Sequence, residues 1–270
     1  MKTPAVINKS VPLHLVVLIA AVMCLFVVPA ISSEFELSFE HRDHVVRAVP
    51  DPPADLPYHL IVDDDQPDGA FGVTLSGFAH QFMWFNRFTP PVSPLLLNEI
   101  WVLFPSGANM VEGSEVEVFV YLDPDGDPAN GADLITSFTD VIQSVEGNAF
   151  SIYPINPPLF VDEGDVFVGV VNRFVESGVT SPTLPAAIDT TSSLGRSWIA
   201  VWVGDPASEP VLPANGVYGL IDDYQPGNWM IRAFGSDVPE TIPVLQPAGA
   251  LILVMMLIWA GGFLIRRAVH

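Results

Sequence analysis

Between residues 58 and 235 no window of helical length keeps an apolar period of about 3.6 residues. Short runs of Val, Ile, Phe and Trp recur there roughly every dozen residues, separated by Asp, Gly, Pro and Asn. The segment Glu115-Val116-Glu117-Val118-Phe119-Val120-Tyr121 shows the pattern best. Glu115 and Glu117 fall on one side of an extended chain and Val116 and Val118 on the other. Further strands are expected over 78–85, 97–104, 134–142, 150–153, 165–171, 197–203 and 229–234. With about eight strands and no helix, the economical arrangement is an all-β antiparallel sandwich, jelly-roll-like, over residues 58–236. A domain of roughly 180 residues is ample for one core.

Composition conflicts with a single soluble domain until it is divided along the chain. A net charge of −21 accompanies a mean hydropathy of +0.41. All 31 acidic residues lie between Glu34 and Glu240, whereas Lys2, Lys9, Arg266 and Arg267 stand in the tails. The middle is therefore more acidic than the whole chain and contains no lysine. Such a surface excludes nucleic acid as a partner, because a phosphate backbone needs clustered Lys and Arg. It suits divalent cations, basic partners or plain solubility.

The two ends read as addresses. Lys2 and Lys9 precede an apolar run over 15–28, followed by Pro29-Ala30 and Ser32-Ser33-Glu34, the order of a signal peptide over residues 1–30. Export by the Sec machinery and cleavage by signal peptidase after Ala30 are expected, with an uncleaved anchor as the alternative. Cleavage would also remove Cys24, the one cysteine, and with it thiol chemistry and disulfides. Residues 31–57, with Pro50, Pro52, Pro53 and Pro57, read as a linker or poorly ordered arm. At the other end AGALILVMMLIWAGGFLI, about the minimum for a spanning helix, is followed at once by Arg266-Arg267. A transmembrane helix over 248–267 would leave the tail in the cytoplasm and the acidic middle outside.

Ahead of that segment, residues 237–247 carry Val238-Pro239-Glu240-Thr241-Ile242-Pro243-Val244-Leu245. A proline motif, one helix and a basic stop resemble the bacterial sorting tails of the PEP-CTERM and IPTL-CTERM classes. Val238-Pro239-Glu240 matches the opening of the first, and Ile242-Pro243-Val244-Leu245 is similar to Ile-Pro-Thr-Leu of the second. Thr241 departs from the first pattern and Gln246-Pro247-Ala248-Gly249 from the second. The resemblance implies an exosortase-type transpeptidase as partner and a place in the cell envelope. An ordinary type I anchor accounts for the helix and arginines equally simply. The middle in turn resembles a recurrent domain of exported bacterial proteins. The resemblance is carried by Asp63-Asp64-Asp65, Asp123-Pro124-Asp125-Gly126-Asp127-Pro128, Asp165 to Val170, Gly195-Arg196-Ser197-Trp198 and Asn228 to Ala233. It implies a noncatalytic extracellular β-sandwich and brings no activity with it.

For chemistry the leading candidate is the loop 123–133. Asp123, Asp125, Asp127 and Asp133 stand in a turn forced by Pro and Gly, where carboxylates can converge on Ca²⁺, which takes six to eight oxygens. The glycine spacing is not that of an EF-hand, and a solvated acidic turn explains the same residues. Asp63-Asp64-Asp65 with Asp68, and Asp222-Asp223, read as solvated strand ends. No Gly-x-Ser-x-Gly elbow occurs, and the pair in His41-Arg42-Asp43-His44 falls in the arm. A hydrolase would therefore need two carboxylates alone, and no pair stands out. Trp84, Trp101, Trp198, Trp202 and Trp229 are either core residues or a platform for an envelope polysaccharide. The sequence thus points to a noncatalytic surface or matrix protein, with a calcium- or carbohydrate-binding adhesive module as the alternative.

Overall fold

The computed structural model describes residues 35–41, 50–106, 110–145, 149–175 and 183–239. The expected signal segment and the apolar segment 248–267 lie outside them. The described chain is an all-β sandwich of antiparallel sheets. Its strands are β1 (Phe35–His41), β2 (Tyr58–Leu60), β3 (Gly69–Leu75), β4 (Phe78–Ala79), β5 (Met83–Phe88), β6 (Leu95–Val102), β7 (Glu115–Asp123) and β8 (Asp133–Val141). They continue as β9 (Ser151–Val161), β10 (Asp165–Val171), β11 (Ala186–Asp189), β12 (Ser197–Val201), β13 (Val217–Leu220), β14 (Asn228–Trp229) and β15 (Ile231–Asp237).

One layer is a six-stranded sheet in the order β13-β12-β5-β10-β7-β8. Its register aligns Ile199, Trp84, Val170 and Val118 in one row across four strands. These side chains face the core that both layers share. The opposite layer is made of two sheets, β1-β3-β11-β14 with β4 on β3, and β2-β15-β6-β9. Phe71, Val73, Ile188, Trp229, Ile231, Ile100 and Tyr153 are its contribution to the same core. The alternation that marked Val116 and Val118 as inward is thus satisfied, with both fully buried.

The outer face of the six-stranded sheet is also dry. Phe85 stacks on Phe167 with centroids 5.4 Å apart, and Phe119, Tyr121, Trp198 and Leu212 complete a second cluster. Gly169 lies between Phe85 and Phe119 in the register, where a Cβ would come within 2.6 Å of the Phe85 Cβ. Only glycine leaves room for the aromatic rings to close over β10. The segment after β12 covers this face, held by Tyr121 donating to the Pro210 carbonyl at 2.8 Å. Arg173 bonds the Pro206 and Ala207 carbonyls while pairing with Glu117 at 2.7 Å. Glu117, expected to face water, is consequently buried.

Among the described residues fifteen strands form where about eight were expected, with β3, β11 and β13 in segments given no strand, and three further features differ from the sequence reading. The run 229–234 is broken at Met230, where the chain leaves one sheet for the other. Met230 donates its N–H to Ala187 and its carbonyl accepts from Leu103. The run 78–85 is likewise divided, because β4 belongs with β3 while β5 lies in the opposite layer. The buried Asn172 bridges that crossing, its Oδ1 accepting from Phe82 N and its Nδ2 donating to the His80 carbonyl. Within the stretch read as an arm, residues 35–41 form β1, antiparallel to β3 along its whole length. Phe35 and Leu37 pack against the core, an alternation too short to stand out beside the charges that follow.

A polar bridge crosses the apolar core. Asn86 on β5 donates through Nδ2 to the Trp229 and Ile231 carbonyls, both at 2.8 Å. Ser197 donates to Asn86 Oδ1 at 2.6 Å and accepts from Trp229 N at 2.9 Å. Asn86→Ala would strand two buried carbonyls and a hydroxyl, each costing about 1–3 kcal/mol. The expected loss, read by urea denaturation, is roughly 3 kcal/mol in all, and a loss below about 1 kcal/mol would show that the bridge does not tie the layers.

Candidate functional site

The loop between β7 and β8 is built by its own carboxylates. Asp123 Oδ1 accepts from Gly126 N, Asp125 Oδ1 from Asp127 N, and Asp127 Oδ1 from Ala129 N. These are the short-range turns that Asp favours, and they explain why the acids alternate. Asp127 caps a 3₁₀ turn, Pro128–Asn130, which Gly131 ends at φ 102°. A Cβ on Gly131 would meet the Leu212 carbonyl oxygen at 2.4 Å, so the turn seats directly against the covering segment. Asn130 donates to Asp125 Oδ2 at 2.9 Å.

A pocket of about 220 Å³ opens here, lined by Asp123, Asp125, Asn130, Asp133 and Leu212 among others. Three of the four candidate ligands therefore share one cavity, while Asp127 turns its carboxylate to the 3₁₀ cap and does not line it. Asp123 is 1% exposed, and its Oδ2 is buried without a hydrogen-bond partner. Burial holds the Asp123 carboxyl above its ordinary pKa, and the Asp125 carboxyl adds to the rise. Asp125 is held below its ordinary value by the Asp127 N–H and then by Asn130. Two adjacent carboxylates with opposite shifts form a place that favours a proton or a cation between them. Among the described residues, no three Asp, Glu, His or Cys side chains converge closely enough to hold a metal ion by themselves.

The acidic cluster Asp63-Asp64-Asp65 with Asp68 serves the fold. Arg232, buried on β15, pairs with Asp63 and Asp65 and lies 4.5 Å from the Phe150 ring centroid. Asp68 Oδ2 accepts from Thr190 N at 2.7 Å and from both Thr190 and Thr191 hydroxyls. Asp189, fully buried, accepts from Asp64 N and Thr191 N, and burial raises its pKa. The Asp63–Arg232, Asp68–Thr190 and Asp64–Asp189 contacts run between segments more than a hundred residues apart, so nothing in the local spelling Asp63-Asp64-Asp65 marks them as structural.

The tryptophans divide clearly. Trp84, Trp101, Trp198 and Trp229 are buried, and Trp202 is half-buried with Nε1 3.4 Å from the Val211 carbonyl. They are core and packing residues, not a flat platform for sugar rings. His80 is buried, its Nε2 3.0 Å from the Trp202 carbonyl. Val238 is half-buried and Pro239 exposed; Glu240, Ile242, Pro243, Val244, Leu245, Arg266 and Arg267 lie outside the described residues, as does His44.

No family model and no curated protein sequence matches the chain. Among solved structures it is similar to the cysteine protease and lectin-like domains of a surface layer associated protein of Clostridium difficile. That alignment has 16% identity over 70% of this chain and 37% of that one, with a TM-score of 0.46. A clostridial cysteine protease after propeptide cleavage aligns at 17% identity over 59% of this chain and 37% of that one, with a TM-score of 0.40.

Because the folded chain keeps the Asp123 proton to higher pH than the unfolded chain, this group lowers stability as pH rises from its ordinary value through the raised one. Asn at 123 would keep the Oδ1 acceptor and remove the buried charge. Asp123→Asn is therefore expected to stabilise the metal-free protein by about 1 kcal/mol at neutral pH. Melting curves in chelator should show the gain shrinking below the ordinary carboxylate range.

Proposed function

We propose that the chain is a noncatalytic protein of the bacterial cell envelope or extracellular matrix, exported through the Sec pathway and delivered by its C-terminal tail. The observation that carries this reading is where the described strands end. Strand β15 ends at Asp237, and the motif opening Val238-Pro239-Glu240 begins with the next residue. Cleavage by a membrane transpeptidase within 238–245 would leave every described strand of both layers intact. The apolar run and Arg266-Arg267 would hold the chain across the membrane until then. The acids and tryptophans outside the loop 123–133 are largely engaged in packing and pairing, which supports a structural module over a hydrolase.

Intact mass of the surface-released protein tests delivery. The expected product lacks the apolar segment from Ala248 to Ile265. Its invariable retention would overturn sorting in favour of an ordinary anchor.

A second reading is that the loop site takes a hard divalent cation, with Asp123 and Asp125 supplying charge and Asn130 and water further oxygens. The unpartnered buried Oδ2 of Asp123 favours it. Calcium at millimolar concentration is expected to raise the melting temperature by a few degrees over EDTA, and Asp123→Asn should abolish that rise. Identical curves with and without calcium would remove the cation from the account.

A further inference from the structure

The cationic groups of this lysine-free domain are not evenly matched. Arg232 has two carboxylates, and Arg173 has Glu117. Arg87 and Arg196 instead share one, Asp165, with Arg196 at 3.5 Å. Thr89 fixes the arrangement by donating to Asp165 Oδ1 at 2.7 Å and accepting from Arg196 Nη1 at 3.1 Å. Arg87 also donates to the Gly126 carbonyl, which ties it to the acidic loop. Arg87 N donates to the Arg196 carbonyl at 2.8 Å, so the two arginines stand side by side at the ends of neighbouring strands. The Arg196 side chain is 37% exposed.

Both arginines line a cleft of about 380 Å³ between the end of β2, the end of β5 and the loop before β12. His59, whose ring packs edge-on against Phe234 at 5.4 Å, also lines the cleft, and Ile61, Pro91 and Leu194 give it apolar sides. Leu194 is 60% exposed, a large apolar side chain left at the mouth. Both guanidinium groups share Asp165 and Asp123 acts on Arg87 from the acidic loop, so Arg196 keeps the less satisfied charge of the two in a chain of net charge −21. Guanidinium forks recognise carboxylates in two-point geometry. The acidic surroundings oppose a dense polyanion, whose other charges would meet carboxylates within a Debye length of about 8–10 Å. The chemistry that fits is one negative group on a small, partly apolar body. A pyranose offers apolar C–H faces to such walls and hydroxyls to Thr89 and His59, whereas a glutamate-rich peptide brings several charges.

We propose that the His59–Arg87–Arg196 cleft binds a single uronic acid residue of an otherwise neutral saccharide, its carboxylate on Arg196. The proposal rests on the extracellular setting only for the source of the ligand. The test is titration of the full-length protein with glucuronate, followed by chemical shifts or calorimetry, with glucose, acetate and a glutamate-rich peptide as comparisons. Glucuronate is expected to bind at least about tenfold more tightly than any of the three, and Arg196→Gln to weaken it by about tenfold. Arg196→Lys should restore only part of the loss, because an ammonium lacks the fork. Melting curves of both variants should match the parent, since this side chain is partly exposed and outside the core. Glucuronate binding no better than glucose or acetate, tighter binding of the peptide, or an unchanged affinity in Arg196→Gln would each overturn the proposal. Delivery is read by mass and sugar binding by titration, so either can fail alone.

Discussion

The architecture turns on one amide. Asn86 sits in the apolar interior with its Nδ2 between the Trp229 and Ile231 carbonyls. Those carbonyls flank Met230, where the chain passes from the β14 sheet into the β15 sheet. A strand that changes sheets leaves main-chain groups out of either ladder, and a buried carbonyl without a partner is costly. Asn86 and Ser197, both on the facing layer, satisfy the groups exposed by that change. The bridge therefore fixes which residue crosses, how the layers are registered and how Trp229 enters the core, with Nε1 donating to the Trp198 carbonyl at 2.8 Å.

The same economy governs the surfaces. A sandwich ordinarily leaves the outer faces of its sheets wet, yet here each outer face carries its own apolar cluster. The covering segments lack regular structure, so they are pinned by polar side chains reaching from the sheets. Tyr121 and Arg173 hold one cover, while the Asp63–Arg232 pair and the Asp68–Thr190 contacts fasten the loops at the other side. An acidic chain thus uses several carboxylates as internal fasteners. The charges at the rim of the six-stranded sheet form a chain of their own. Asp123 and Asp165 face each other across β7 and β10, and Arg87, Thr89 and Arg196 follow on the next strands. The acidic pocket and the cationic cleft are the two ends of that row.

Period-two alternation made the long central strands legible. Val116 and Val118 on β7 read directly as inward residues and the run of β10 as a strand, although the other face of β7 is buried as well. Other strands were less legible: β2 is too short to show a period, β4 and β14 were merged into longer runs, and β3, β11 and β13 lie where no strand was expected, β3 being interrupted by Gly69 and Gly72. The acidic loop was legible as a cluster, since Asp, Pro and Gly at close spacing dictate turns. That Asp127 would cap a 3₁₀ turn while Asp123 kept a bare oxygen was not, because it depends on which backbone N–H each carboxylate reaches. The cleft around Arg196 left no trace in the sequence. Its parts come from three segments separated by dozens of residues.

By itself the sequence determined the all-β class, the acidic lysine-free middle, the apolar ends with their basic flanks and the turn chemistry of 123–133. Each of these follows from periodicity, charge or local backbone preference, which act over a few residues. Tertiary structure alone decided that Trp84, Trp101, Trp198 and Trp229 are core, that Asp63 neutralises a buried arginine and that two arginines share one aspartate. Those outcomes depend on long-range pairing of strands and on desolvation, which assign a partner to a charged or aromatic side chain only after the layers have closed.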